Sequence, residues 1–285
     1  MSDANQEQKS YWNEQAGPAW VAHQERLDRQ IGPHGERAMA LLAPAPGEHV
    51  LDLGCGCGDS SLALARRVAP GGRVLGLDLS GPMLVRARER AAAAGLANVS
   101  FRAADVQSAS LEAGAFDGAF SRFGVMFFAD PVAAFGNVRS ALRPGGRLAF
   151  ACWRPVTENP WVLVPMAAAA PLMALPPPPP PGTPGPFAFG DGARVRGILE
   201  AAGFADIAVD PAELPMTPGG GDLDEAADTF LEIGPLASAL READAGAALR
   251  DQIRGAVRKA FESHLRGGRV ELGSAIWLVR ARRAH

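Results

Sequence analysis

Between His49 and Trp153, short apolar runs alternate with segments of helical periodicity. The run His49-Val50-Leu51-Asp52-Leu53 ends at glycines and is too short for a helix, which predicts a buried strand. Asp59 through Val68 reads as a helix with Asp59 or Ser60 as its cap. Arg73 to Asp78 predicts a second strand, and Ser80 caps a helix running to about Ala94, stopped by Gly95. Val99–Ala103 and Phe116–Ser121 predict a third and a fourth strand. Asp130-Pro131 opens a helix with a cap and an N1 proline that ends near Leu142. Arg143-Pro144-Gly145-Gly146 predicts a turn, and Arg147 to Trp153 a fifth strand. Strands and helices alternating at this spacing argue for an α/β fold, a doubly wound and mostly parallel sheet covered on both faces.

The flanking segments follow other patterns. Residues 1–45 read as a helical, polar and aromatic lid carrying Tyr11, Trp12 and Trp20, closed by Pro44, Pro46 and Gly47. Residues 46–154 form the expected ligand-binding core, and 155–285 the rest of the sheet with an inserted helical cap at about 155–192 and 217–266. Pro160 to Pro186 is rich in alanine and proline, and the six prolines at 176–181 predict a stiff spacer or surface loop of the kind linkers tolerate. A helix over 193–202, a sixth strand at Phe204–Val209, a loop at Thr217–Gly221 and helices over 222–264 split at Gly234-Pro235 follow. Arg269 to Arg280 is expected to be the last strand.

Composition narrows the function by exclusion. Of 285 residues, 47% are hydrophobic and 21% charged, which rules out global disorder. A net charge of -3 gives no electrostatic reason to expect nucleic acid or an anionic membrane as partner. Three cysteines, two of them in Cys55-Gly56-Cys57, make no disulfide framework and offer poor zinc spacing, so no metal is expected. The polar N-terminus lacks the apolar core of a signal peptide, and Pro165 and Pro171 break the longest apolar run. A cytoplasmic protein, monomer or homodimer, is the expectation.

The candidate chemistry sits at Asp52-Leu53-Gly54-Cys55-Gly56-Cys57-Gly58, after a strand and before a helix. Glycines at alternate positions allow a tight turn and a close backbone approach to a ligand, and the helix that follows aims unpaired N–H groups at the same place. Asp78 and Asp105 close the next two strands, so three acids gather at the sheet edge where open α/β sheets bind ligands. An acid at Asp78 suits the ribose hydroxyls of an adenosine ligand, and Asp105 the adenine amine. The dinucleotide fingerprint does not fit: the third glycine arrives one residue early and Asp59 stands where pyrophosphate would lie. A phosphate-free adenosine ligand with an ammonium tail, S-adenosylmethionine, fits better.

These motifs, with Gly76-Leu77-Asp78-Leu79-Ser80, Met83, Ala104-Asp105-Val106 and Leu142-Arg143-Pro144-Gly145-Gly146-Arg147-Leu148, resemble those of class I S-adenosylmethionine-dependent methyltransferases over residues 47–153. The small-molecule branch with the ubiquinone and menaquinone methyltransferases is the similar one. The resemblance implies a seven-stranded sheet with an antiparallel last strand. It implies that Asp52 and the backbone of Gly54, Gly56 and Gly58 hold the methionine end. Asp78 would bind the ribose, Leu79 and Met83 would pack on adenine, and Asp105 with the Val106 N–H would meet the adenine amine. Ser121, with Arg122 and Phe123, would line the floor beneath the sulfonium. Ser121-Arg122-Phe123-Gly124 replaces the Asn/Asp-Pro-Pro-aromatic motif of the nucleic-acid amino methyltransferases and speaks against that class.

Trp20, Phe123, Phe127 and Trp153 are candidates for the acceptor side, as pocket or as core. Tyr11, His23 and His264 are conceivable acid–base groups, each weighed against a surface or packing role, and no catalytic residue is assigned. The expected reaction is methyl transfer to a small-molecule N, O or C nucleophile. A nicotinamide-dependent oxidoreductase and a non-catalytic cofactor-binding protein remain the alternatives.

Overall fold

The computed structural model describes residues 3–180, 182–219 and 222–284. The chain opens with α1 (Asp3–Ser10), a π-helical turn (Tyr11–Gln15), α2 (Ala16–Ala22) and α3 (Gln24–Leu42). The alternating region then gives β1 (His49–Leu53), α4 (Asp59–Val68), β2 (Arg73–Asp78), α5 (Gly81–Ala93), β3 (Val99–Ala103), β4 (Phe116–Arg122), α6 (Pro131–Ala141) and β5 (Leu142–Trp153). Beyond it lie α7 (Pro160–Ala169), α8 (Gly192–Ala201), β6 (Phe204–Met216), α9 (Leu223–Glu232), α10 (Pro235–Glu242) and α11 (Ala247–Phe261). A small hairpin, β7 (Leu265–Arg266) with β8 (Arg269–Val270), precedes the last strand, β9 (Leu272–Arg283).

Seven strands form one sheet in the order β3-β2-β1-β4-β5-β9-β6. Pairing from β3 through β5 is parallel, and β9 runs antiparallel to both β5 and β6. The carboxyl ends of β1 through β6 therefore share one edge, and β9 starts there. Local chemistry sets the element ends. The Ser80 hydroxyl accepts from the Met83 N–H at 3.4 Å to start α5, and the Asp130 carboxylate accepts from the Ala133 N–H at 3.0 Å to start α6. Gly95, at φ +64°, lets the chain leave α5. Phe120, Phe135, Phe150 and Phe189 are fully buried, and Phe135 stacks on Phe150 with ring centres 5.6 Å apart.

Three elements differ from expectation. The strand β5 begins at Leu142, because Arg143–Gly146 is a bulge rather than a separate turn: Phe116 pairs with Leu142, and Gly118 already pairs with Arg147. The strand β6 continues past Val209 to Met216 despite Pro211 and Pro215. It lies at the sheet edge, where a proline forfeits no ladder bond on the open side. Arg269 and Val270 belong to the hairpin, turned at Gly267-Gly268 with φ of +55° and +81°, and not to the last strand.

Helices α7, α9, α10 and α11 pack on one another beside the sheet edge. Among the described residues no helix is long and apolar enough to cross a membrane. Pro181 of the proline run and Gly220 and Gly221 of the expected loop lie outside the described residues.

Candidate functional site

The site is assembled where β1 hands over to α4. Gly54, Gly56 and Gly58 all take positive φ, at +66°, +54° and +85°. A Cβ on Gly54 would stand 2.7 Å from the Cα of Gly124, so the loop after β1 and the loop after β4 touch backbone to backbone. The N–H groups of Gly54 and Cys55 donate to the Leu77 carbonyl at 2.8 and 3.0 Å, fixing the loop against β2. The Asp78 carboxylate accepts from the Gly56 N–H at 2.8 Å and from the Ser80 N–H at 2.8 Å. Burial holds its pKa above the ordinary carboxylate value even against those backbone bonds. The Met83 methyl lies under Gly56, where a Cβ would come within 2.8 Å of it.

A cavity of about 1050 Å³ opens along the shared strand edge. Gly54, Gly56, Asp78, Leu79, Met83, Asp105 and Val106 line it on the β1–β3 side. Trp20, Phe123, Phe127 and Trp153 line it as well, as do Trp161, Met216, Phe230 and the prolines 176–180. The proline run, expected as a spacer, is thus a wall of the cavity, tied in where the Gly185 N–H donates to the Met126 carbonyl at 3.1 Å.

Three expected site residues are not on the lining. Asp52 is fully buried behind the loop, and its Oδ2 accepts from the hydroxyls of Ser60 at 2.7 Å and Ser61 at 2.5 Å. Burial pushes its pKa up to about 6. Ser121 donates to the Leu53 carbonyl at 2.7 Å and accepts from the Gly124 N–H at 3.2 Å, so it joins two strand ends instead of flooring the cavity. Gly58 caps α4 with φ +85°, where a Cβ would meet that of Ala87 at 3.0 Å. All three shape the loop from behind.

The helix start carries more charge structure than the sequence suggested. Asp59 does not stand alone: the Arg122 Nη1 lies 2.7 Å from its Oδ2 and the Arg90 Nη2 3.4 Å from its Oδ1. The same guanidiniums reach Asp28 on α3, at 3.2 and 3.0 Å, and Arg90 donates to the Cys57 carbonyl at 2.8 Å. Two acids and two arginines thereby fasten α3 to the glycine loop. Nothing in the spacing of residues 28, 59, 90 and 122 signals that meeting.

The N-terminal segment reaches the same edge. Asn13 accepts from the Gly81 N–H at 2.9 Å and donates to the Leu79 carbonyl at 3.0 Å, gripping the turn after β2. The Asn5 amide donates to the Asp105 carboxylate, which also accepts from the Gln107 N–H at 3.0 Å. The Val106 N–H has no partner among the described residues. Trp12 packs edge-on against Trp20 and Phe127, at 5.9 and 5.0 Å.

Phe123 leaves β4 at φ +63°, a costly conformation for a side-chain-bearing residue. It places the Phe123 ring flat on Trp153, 4.1 Å between centres. Behind that pair lies His34, fully buried and 5.3 Å from the Trp153 ring. The Ser274 hydroxyl donates to the Leu214 carbonyl at 2.8 Å, so it accepts from His34 Nε2, 2.7 Å away, and Nε2 carries the ring proton. Burial and the nearby Arg122 charge lower the His34 pKa to about 4. Of the conceivable acid–base groups, Tyr11 lines the cavity, His23 lies 3.4 Å from Glu232, and His264 sits in a short 3-10 turn and is not on the lining. Cys55, Cys57 and Cys152 are free and buried. Among the described residues no group of three or more histidines, cysteines and acids is placed to hold a metal.

Comparison with known proteins agrees with this geometry. Residues 50–146 match the family model described as a methyltransferase domain. Nocamycin O-methyltransferase from Saccharothrix syringae is 33% identical over 183 residues, 61% of this chain and 65% of the relative. Demethylmenaquinone methyltransferase from Thermus thermophilus is 40% identical over 128 residues, 45% of this chain and 57% of the relative. The chain thus spans less than two thirds of either relative's length. In structure, a putative methyltransferase from Bacillus halodurans superposes with a TM-score of 0.57 at 17% identity, covering 89% of this chain and 100% of that one, which speaks for a shared fold. Residues 50–146 are thus similar to a methyltransferase domain, carried on a fold shared with the Bacillus halodurans protein.

Proposed function

We propose that the chain transfers the methyl group of S-adenosylmethionine to a small, largely apolar acceptor. The observation that carries this reading is a single cavity joining the glycine loop and Asp78 to an aromatic chamber, with no unpaired cation among its described lining residues. Arg122 is the one arginine there, and its two Nη nitrogens are committed to Asp28 and Asp59. A diphosphate would find acids and no free counter-charge. A phosphate-free adenosine with a cationic tail suits the set: Asp78 for ribose hydroxyls, the Val106 N–H for the base, and aromatic faces at Phe123 and Trp153 that favour a nearby cation.

When bound, that cofactor supplies a methyl already activated by its sulfonium. The protein's own work is then alignment and exclusion of water. The close backbone contact of Gly54 with Gly124 fixes the glycine loop that would hold the cofactor. Trp12, Trp20 and the prolines 176–180 line the chamber with apolar surface. The described lining holds no histidine, so an acceptor that is already nucleophilic at neutral pH suits the site best. The names of the relatives, an O-methyltransferase and a quinone-precursor methyltransferase, support a small-molecule acceptor.

Calorimetry tests the reading. S-adenosylhomocysteine is expected to bind and NADH is not. A panel of phenols, quinols and amines with S-adenosylmethionine is expected to release S-adenosylhomocysteine. Tight NADH binding without S-adenosylhomocysteine binding would reverse the proposal, and cofactor binding with no turnover of any acceptor would favour a non-catalytic protein.

A further inference from the structure

The acceptor side of the cavity holds one buried polar group that the chain itself leaves half-satisfied. Gln30, on α3, lines the cavity next to Met216 and is 7% exposed. Its Nε2 donates to the Met216 sulfur at 3.0 Å, a weak acceptor, while its Oε1 is buried without a hydrogen-bond partner among the described residues. A buried carbonyl oxygen left unpaired is a cost that a folded protein rarely carries without a use. Its neighbours on the lining, Leu27 and Ile31, have nothing to offer it.

The charges around the cavity point the same way. Apart from the doubly paired Arg122, the charged groups on the described lining are acids: Asp28, Asp78, Asp105, Asp191 and Glu242. An anionic acceptor has no counter-ion there.

We propose that Gln30 is the polar anchor of the methyl acceptor, and that the acceptor is an uncharged, largely apolar molecule bearing a hydroxyl or N–H. The Gln30 amide turns its covered Oε1 toward that donor as the acceptor arrives, and the apolar body fills the chamber against Trp161 and Phe230. Gln30 is thus a positioning residue: it fixes how the acceptor lies and takes no part in the transfer. The inference rests on the methyl-transfer reading, and its test separates the two.

The probes are 2-naphthol, its ether 2-methoxynaphthalene and 2-naphthoate, titrated by calorimetry into the full chain saturated with S-adenosylhomocysteine. In the wild type 2-naphthol is expected to bind about tenfold tighter than the ether, the scale of one hydrogen bond, with the naphthoate weakest. In Gln30→Leu the two neutral probes become equal, S-adenosylhomocysteine affinity is unchanged, and the melting temperature does not fall, because an unpaired polar atom has been removed. Gln30→Met gives the same readout should the leucine variant fail to fold. Neutral probes that bind alike or not at all in the wild type, or a preference that survives in the variants, overturn the anchor. A wild type that binds no S-adenosylhomocysteine overturns the methyl-transfer reading beneath it.

Discussion

His34 makes the fold acid-sensitive in a calculable way. The side chain is fully buried, its Nε2 proton bonded to Ser274 and its Nδ1 without a hydrogen-bond partner among the described residues. Its pKa falls from 6.5 to about 4, chiefly through burial and then through the Arg122 charge. In the unfolded chain the imidazole takes up a proton near the ordinary value, while in the folded chain it does so only near 4. Between those values the unfolded state binds more protons, so stability is complete above pH 6.5 and is lost as pH falls toward 4. The shift corresponds to about 3 kcal/mol. His34→Gln keeps a donor toward Ser274 and cannot titrate. Urea unfolding of both proteins at pH 7 and pH 4 isolates the histidine from every other titrating group. The wild type is expected to lose about 3 kcal/mol more than the variant on acidification. Equal losses would show that His34 is not held neutral in the fold.

The other expectations concern the glycine loop and its acids. Asp78→Ala is expected to weaken S-adenosylhomocysteine binding by about 1–3 kcal/mol, and unchanged calorimetric affinity in a folded variant removes Asp78 from the site. Gly54→Ala drives a Cβ to within 2.7 Å of the Gly124 backbone at φ +66°. A loss of at least about 2 kcal/mol in chemical denaturation is expected, together with weaker cofactor binding. Arg122→Leu leaves Asp28 and Asp59 sharing Arg90 alone, and about 3 kcal/mol of stability should go with it. A neutral result by urea titration would mean that solvent screens the cluster.

The parts of the molecule built by local rules were open to sequence reasoning. Strand β1, the glycine loop, the Ser80 and Asp130 caps and Asp78 at the end of β2 follow from spacing and residue chemistry within a few positions of one another. Contacts between distant segments were not. Gln30, His34, Asn5 and Asn13 lie on an N-terminal stretch whose sequence carries only amphipathic periodicity, and their partners are 66 to 240 residues away. Position at the strand edge also did not guarantee access. Asp52 and Ser121 sit at strand ends as expected, yet neither is on the lining: two serine hydroxyls hold Asp52 Oδ2 behind the loop, and Ser121 gives its proton to the Leu53 carbonyl. The proline run misled for a related reason: composition describes its stiffness, whereas its place over the chamber depends on where α7 and α8 anchor its two ends.

The bond from Asn5 to Asp105 has a consequence for the order of events. Both oxygens of that carboxylate are already engaged, one by the first helix and both by Gln107. On the proposed reading, a nucleobase amine received there has to displace Asn5 or Gln107 from one of those oxygens. On that reading, seating the nucleoside competes with the bond that ties the leading helix to this edge.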